Sequence, residues 1–269
     1  MLTFLFWNID NEPIGDVITH LALMHGVDIL ILAESALPPP ELLLKLNEQK
    51  TAYFYHPKRG CGKIEVFAKF RQEHLKIINE GQRYTIRRLT LPGRQEILVC
   101  MAHLPNKRHY SEQDMIHSMT NMSADIKDSE SKYSHERTIV VGDLNANPFE
   151  AGMVSCSGLH AVMARQTAQK SRRKVEGKTY PFFYNPMWSH FGDGNRLPSG
   201  TYHYWNSTPV SYMWNMFDQV LIRPELLDYF DDADLQILTS DGATSLLKAD
   251  GTPDKSISDH LPILFKLNV

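Results

Sequence analysis

Apolar positions divide the chain into short extended runs and longer helical stripes. Leu2 to Trp7, apolar apart from Thr3, predicts a strand, and Thr138-Ile139-Val140-Val141 is a second, β-branched and buried one. Ile14, Val17, Ile18, Leu21 and Ala22 recur at helical spacing, with Pro13 suited to the first turn and Gly26 to the stop. Val27 to Leu32 is strand-like again, and strand, helix, strand in succession favours a parallel βαβ pair. Pro38 to Asn47 predicts a second helix. Thr51 to Tyr55, Lys63 to Phe70, Leu75 to Ile78, Arg83 to Leu91 and Glu96 to Ala102 are short runs broken by Gly, Pro or charge, the pattern of an antiparallel meander. Ser111-Glu112-Gln113-Asp114 resembles a capping box with Asp in the acid position. The stripe Met115, Met119, Met122, Ile126 behind it predicts a long amphipathic helix packed on the core. Phe217 to Ile222, Asp234 to Leu238 and Leu261 to Leu267 complete the strands.

Polar residues gather where these strands stop or start. Gly142-Asp143-Leu144-Asn145 ends the central strand, and alternation along an extended chain sends Asp143 and Asn145 to one side. Such a carboxylate and amide suit the orientation of a water molecule beside a phosphate or a metal-bound oxygen. The same residues, with Asn147-Pro148, also read as a plain turn. Asn8 and Glu34 fall at the carboxyl ends of the two parallel strands, where open α/β sheets place their ligands. His103 and Asn106 follow another strand, whereas Asp218 and Ser258-Asp259-His260 stand at strand beginnings. Strands carrying their polar residues first run antiparallel to those carrying them last, so all of these groups meet on one edge. Asp10 reads either as a further member of this set or, beside Asn11 and Pro13, as a cap for the first helix.

The balance of residues narrows the class. At 269 residues, with 42% hydrophobic and 22% charged positions, the chain suits an ordinary globular α/β protein with a sizeable core. No repeat, low-complexity segment or linker interrupts it, so residues 1–269 are expected to form one domain. A net charge of −3 offers no global basic field for nucleic acid, so such binding needs a local patch. Cys61, Cys100 and Cys156 have neither disulfide nor metal-ligand spacing and suit a reducing cytosol. The absence of a membrane-length apolar run, and of a basic segment before Leu2, predicts a cytoplasmic protein.

Two segments depart from periodicity. Residues 161–178 carry Arg165, Lys170, Arg172, Arg173, Lys174 and Lys178 against the single acid Glu176. They read either as a solvated loop or as a rim that tracks phosphates. Residues 179–215 are rich in aromatics, among them Tyr202, Tyr204, Trp205, Tyr212 and Trp214. They read either as a packed satellite cluster or as a functional loop.

Taken in order, Trp7-Asn8-Ile9-Asp10, Ala33-Glu34-Ser35, Ala102-His103-Leu104-Pro105, Gly142-Asp143-Leu144-Asn145, Phe217-Asp218 and Ser258-Asp259-His260 resemble the motif set of the endonuclease/exonuclease/phosphatase superfamily. The resemblance spans nearly the whole chain. It implies a four-layer α/β/β/α sandwich with mixed sheets and a Mg²⁺-dependent attack of water on a phosphate ester, with Mn²⁺ as a substitute. It further implies that Glu34 is the principal metal ligand, supported by Asn8 and Asp259, an oxygen set suited to a hard cation. Asp143 takes a proton from the attacking water and Asn145 positions the reacting group. His260, its tautomer fixed by Asp218, bonds the phosphate, and His103 is a second donor to the developing charge. Asn106, Arg172, Arg173, Lys174 and Trp214 are expected to contact substrate. Trp-Asn-Ile-Asp is close to the wording in the tyrosyl-DNA phosphodiesterases. His103 matches the deoxyribonucleases and sphingomyelinases, where the apurinic endonucleases carry Tyr.

Three function classes follow. A nuclease is favoured by the basic run and by aromatics on which bases stack. A phosphomonoesterase, or a lipid or small-molecule phosphodiesterase, uses the same chemistry; its lipid form lacks support, because no basic amphipathic helix or lipidation motif is present. An inactive nucleic-acid-binding module is disfavoured by the intact acids and histidines. No membrane and no obligate protein partner is expected.

Overall fold

The structure, a computed structural model, describes residues 1–49, 51–194 and 198–269. The chain runs β1 (Leu2–Asn8), α1 (Gly15–Met24), β2 (Ile29–Ala33), α2 (Pro39–Asn47), β3 (Phe54–Tyr55), β4 (Ile64–Ala68), β5 (Leu75–Glu80), β6 (Tyr84–Leu89), β7 (Ile97–His103), α3 (Glu112–Tyr133) and β8 (Thr138–Asp143). It continues with α4 (Ala151–Val154), β9 (Ala161–Val162), α5 (Arg165–Ala168), β10 (Arg172–Val175), β11 (Lys178–Pro181), β12 (Phe183–Tyr184), β13 (Tyr202–His203), β14 (Trp214–Asn215), β15 (Asp218–Ile222), β16 (Gln236–Ile237) and β17 (Ile263–Leu267). Among the described residues these strands form a six-stranded sheet, β16-β17-β1-β2-β4-β3, and a seven-stranded sheet, β5-β6-β7-β8-β15-β12-β9. Two hairpins, β10–β11 and β13–β14, stand apart from both sheets.

Strand alternation builds the layers. Phe4, Phe6, Ile31 and Phe265 of the first sheet share one buried cluster with Val99, Met101, Val141 and Val220 of the second. The intervening residues Leu5, Trp7, Leu30 and Leu32 turn outward under α1 and α2. Cys100, Val140 and Leu221 turn outward under α3, against Met115, Met119, Met122 and Ile126. A strand buried on both faces has no polar side, which is why β1 is apolar from Phe4 to Trp7 without alternation. Helix, sheet, sheet, helix is therefore the order of layers, as the resemblance implies. The capping box forms at α3: the Ser111 hydroxyl accepts from the Asp114 N–H at 3.2 Å, and the Asp114 carboxylate accepts from the Ser111 N–H at 2.9 Å.

Some expectations fail locally. Pro13 precedes the helix it was expected to open, since α1 starts at Gly15 with Ile14 as its cap residue. The expected meander is divided: β3 and β4 join β2 in the first sheet, whereas β5, β6 and β7 lead to β8 in the second. Period 2 identifies a strand but not its partner. Only Gln236–Ile237 is extended within Asp234 to Leu238, because a 3₁₀ turn occupies Asp232–Asp234.

One glycine is dictated by the sheet. β8 lies beside β7 so closely that a Cβ on Gly142 would stand 1.9 Å from the Ala102 carbonyl oxygen. The strand that delivers Asp143 therefore requires Gly142.

Candidate active site

β7 and β8 run parallel and end together, with His103 paired in register to Asp143. β15 runs antiparallel to β8 and begins with Asp218 opposite Asp143. Across the core, β1 and β2 end at Asn8 and Ala33, and β17 is preceded by Asp259 and His260. Asn8, Asp10, Glu34, Asn106, Asp143, Asn145, Asp259 and His260 line one cleft of about 670 Å³ at this edge. His103 and Asp218 stand behind it, buried and bonded to its lining.

Asp143 sits at the centre. Its Oδ2 accepts from Asn8 Nδ2 at 3.0 Å and from Asn145 Nδ2 at 3.2 Å, and its Oδ1 accepts from the Asn145 N–H at 2.9 Å. His103 Nε2 is 3.6 Å and His260 Nε2 3.9 Å from the same Oδ2. Asn145 reaches Asp143 through a turn, not through strand alternation: its φ is 49°, and its amide also donates to the Leu104 carbonyl at 3.0 Å. The expectation of a shared face thus holds in outcome but for a different reason. Asp10, Asn11 and Glu34 also have positive φ. Left-handed backbone in non-glycine residues is strained, and such strain clusters at functional sites.

The two histidines are held differently. His260 Nδ1 lies 2.8 Å from Asp218 Oδ2, and its backbone is pinned by Ser258 Oγ at 3.0 Å and by Trp7 Nε1 at 2.9 Å. Burial alone would lower the His260 pKa, but the negative charges of Asp218 and Asp143 override it and raise it. The result is an imidazolium at neutral pH, with its Nε2–H free of Asp218. His103 Nε2 lies 3.1 Å from Glu34 Oε1. That hydrogen bond is the main reason the Glu34 pKa falls to about 2.

Two groupings come into question for a cation. Asp143, Asp218 and His260 offer ligand atoms within 4.8 Å of one another. Within that trio, however, the imidazole is bonded to Asp218 and favours its protonated form, which has no lone pair to give. Glu34, Asn8 and Asp259 supply only oxygens, with Asp10 beside them. The Asp10 pKa is raised by its partial burial and then by the charges of Asp259 and Glu34. Such an excess of negative oxygen donors fits a hard divalent ion.

Several expected substrate residues are elsewhere. Arg172, Arg173 and Lys174 lie on the exposed strand β10, and Arg172 pairs with Glu136 at 2.8 Å. Glu136 precedes the start of β8, so it is roughly 17 Å or more from Asp143 by strand rise. None of the three lines the cleft. Arg165 of the same run is anchored to Asp232 at 2.9 Å. Trp214 packs on His203, with ring centroids 5.0 Å apart, and leaves the cleft to its neighbour Asn215. Asp10 lines the cleft instead of capping α1.

Other residues beside these groups were not singled out in the sequence, although Tyr202 stood among the aromatics of the long loop. Thr201 Oγ1 accepts from the Asp218 N–H at 3.1 Å, and Tyr202 packs its ring 4.7 Å from that of His260. Lys107 and Arg108 line the cleft directly after Asn106. Two adjacent cations behind a strand-end histidine were the available signal for this pair. Thr201 offered none, because nothing local marks a lone threonine as the partner of a distant aspartate.

No family model and no curated protein matches the chain. Solved structures do. An AP endonuclease from Archaeoglobus fulgidus superposes with a TM-score of 0.59 at 12% identity, covering 100% of both chains. TDP2 from D. rerio, complexed with a single-strand DNA product, gives 0.54 at 17% identity over 100% of this chain and 99% of that one. An endonuclease/exonuclease/phosphatase family protein from Bacteroides thetaiotaomicron gives 0.54 at 15% identity over 98% and 96%. This chain has the fold of the endonuclease/exonuclease/phosphatase superfamily.

Proposed function

We propose that residues 1–269 form one catalytic domain that hydrolyses phosphodiesters with a divalent metal ion, acting as a nuclease. The observation that carries this reading is the convergence on Asp143 Oδ2. Side chains from four strand ends, Asn8 of β1, His103 of β7, Asn145 after β8 and His260 before β17, meet around one buried carboxylate at the floor of a cleft. Glu34, with Asn8 and Asp259, would hold a Mg²⁺ ion that when bound would supply Lewis-acid neutralisation of phosphoryl charge, with Mn²⁺ as a substitute.

The protein's own groups divide the remaining work. Asp143 accepts the proton of the attacking water. Asn8 and Asn145 fix its carboxylate, so Asn145 acts through Asp143. His260 donates its Nε2–H to a phosphate oxygen, where charge grows in the transition state, and Asp218 holds it charged and in place. His103 directs its Nε2 to Glu34, which makes it a holder of the metal ligand.

The choice of a nuclease rests on the cations and tyrosines in the cleft, since the basic hairpin is remote from it. Among the described residues no helix is long and apolar enough to cross a membrane. The three cysteines are free, as suits a cytoplasmic protein. A phosphomonoesterase or small-molecule phosphodiesterase would use the same catalytic groups. Turnover of labelled single-stranded DNA, duplex DNA, RNA and a phosphomonoester, in Mg²⁺ and in excess chelator, separates these readings. Cleavage of polynucleotides in Mg²⁺ alone is expected. Release of phosphate only from the monoester would establish the phosphatase, and turnover in chelator would remove the metal.

A further inference from the structure

One wall of the cleft is unlike the rest of the surface. The hairpin β13–β14 pairs only with itself in the sheets, through Tyr202 with Asn215 and His203 with Trp214. Its connecting segment carries Tyr204, Trp205 and Tyr212, exposed by 39%, 76% and 57%. Aromatic side chains of this size are usually covered, and an exposed group of them marks an interaction site. Tyr204 and Tyr212 line the cleft that holds Asp143, and Trp205 adjoins Tyr204 in the chain. Cations accompany them. Arg108 lies 5.6 Å and Lys255 5.8 Å from the Tyr204 ring centre.

The wall is also tied to the catalytic groups. Tyr202 forms an isolated bridge with His260, and Thr201 bonds the backbone of Asp218. At its far end Tyr212 packs on Phe149, with ring centroids 5.2 Å apart. The platform therefore has a fixed base beside the reacting centre and exposed ring faces beyond it. At about 670 Å³ the cleft is within the range that encloses a ligand much larger than a bare phosphate.

We infer that Tyr204, Trp205 and Tyr212 form a stacking platform for unpaired bases, with Arg108 and Lys255 beside the backbone phosphates, so that the substrate is single-stranded polynucleotide. The inference rests on the phosphodiesterase reading and deepens it. Ring faces receive bases only where those bases are not already stacked in a duplex. The contact tolerates any sequence, because every base offers a π-face. The cations supply the polyanion preference that the net charge of the chain does not.

The experiment measures binding of fluorescent twelve-base DNA, twelve-base RNA and blunt duplex DNA to Trp205→Ala, Tyr212→Ala and Trp205→Phe. The Asp143→Asn background prevents turnover, and thermal unfolding monitors the fold. Each alanine variant should weaken single-strand binding about 5- to 150-fold, the worth of one base–aromatic stack, and Trp205→Phe should restore most of it. Replacing Arg108 and Lys255 by Ser should flatten the salt dependence by about 0.7 per lost contact. Duplex should bind more weakly than single strand. Unchanged affinity in the alanine variants, or equal affinity for duplex and single strand, would overturn the platform. Hydrolysis of bis(p-nitrophenyl) phosphate in Mg²⁺ by the protein with Asp143 intact reads the phosphodiesterase claim separately, so each can fail without the other.

Discussion

Asp218 stands directly opposite Asp143 in the antiparallel register of β15 and β8, and His260 is placed between the two carboxylates. Two buried acids this close need a proton or a cation between them. The imidazolium meets that need, and its charge belongs to the pair. Asp218→Asn keeps the shape and removes one of the charges that raise the His260 pKa. The kcat for diester hydrolysis should then fall on the order of 10²- to 10⁴-fold, as for a lost acid–base group. The alkaline limb of its pH–rate profile should also move to lower pH. A profile that falls in height without moving would show that Asp218 does not control the charge of His260.

The same pair shapes stability against pH. His260 has a folded pKa above its unfolded value of about 6.5, so its contribution is fully present below that pH and is lost as pH rises through the raised value. The difference in melting temperature between wild type and His260→Gln should therefore be largest in mildly acidic buffer. It should shrink steadily toward alkaline pH, and a constant difference would contradict the assignment.

Glu34 gives a test of the metal site that needs no turnover. A ligand that binds the folded state alone stabilises it in proportion to the logarithm of its concentration over Kd. Mg²⁺ should raise the melting temperature of the wild type and leave that of Glu34→Ala unmoved. In metal-free buffer, the lowered Glu34 pKa contributes stability that is present above about 4.5 and lost as pH falls toward 2. Glu34→Gln should accordingly flatten the acid limb of the stability curve.

Far from the cleft, Arg223 and Glu130 form a buried two-bond pair at 2.8 and 3.1 Å. Arg223 also donates to the Phe182 carbonyl at 3.0 Å and lies over the Phe183 ring. Glu130→Ala leaves that guanidinium buried and unpaired, which should cost about 3–5 kcal/mol. Urea denaturation checks the loss, and kcat per folded molecule should be unchanged.

How far this was legible from the chain depends on whether the cause is local. The residues that meet at the cleft were readable as a group because each sits at a strand end, and strand ends announce themselves by a change from apolar to polar residues. Glu34 after Leu30-Ile31-Leu32-Ala33 and Asp143 after Ile139-Val140-Val141-Gly142 are of this kind. Partnership was not readable. The runs from Thr51 to Ala102 look alike, yet register with β2 or with β8 decides their sheet. The position of the basic run was unreadable for a related reason: its charge is plain, but its distance from Asp143 depends on the hairpin that sets Arg172 beside Glu136, ahead of β8. Asn145 was placed beside Asp143 from a wrong premise, since the turn and not the strand supplies its direction.

The central claim is that Asp143 is the base. Asp143→Asn is nearly isosteric and replaces an acceptor-only carboxylate by an amide that does not take up a proton. Hydrolysis of a fluorescent single-stranded oligonucleotide under single-turnover conditions, with Mg²⁺ saturating, reports the chemical step and binding separately. The rate constant should fall about 10²- to 10⁴-fold while the concentration for half-saturation stays within a small factor of wild type. A wild-type rate constant with weakened binding would contradict the account and leave Asp143 as a binding residue.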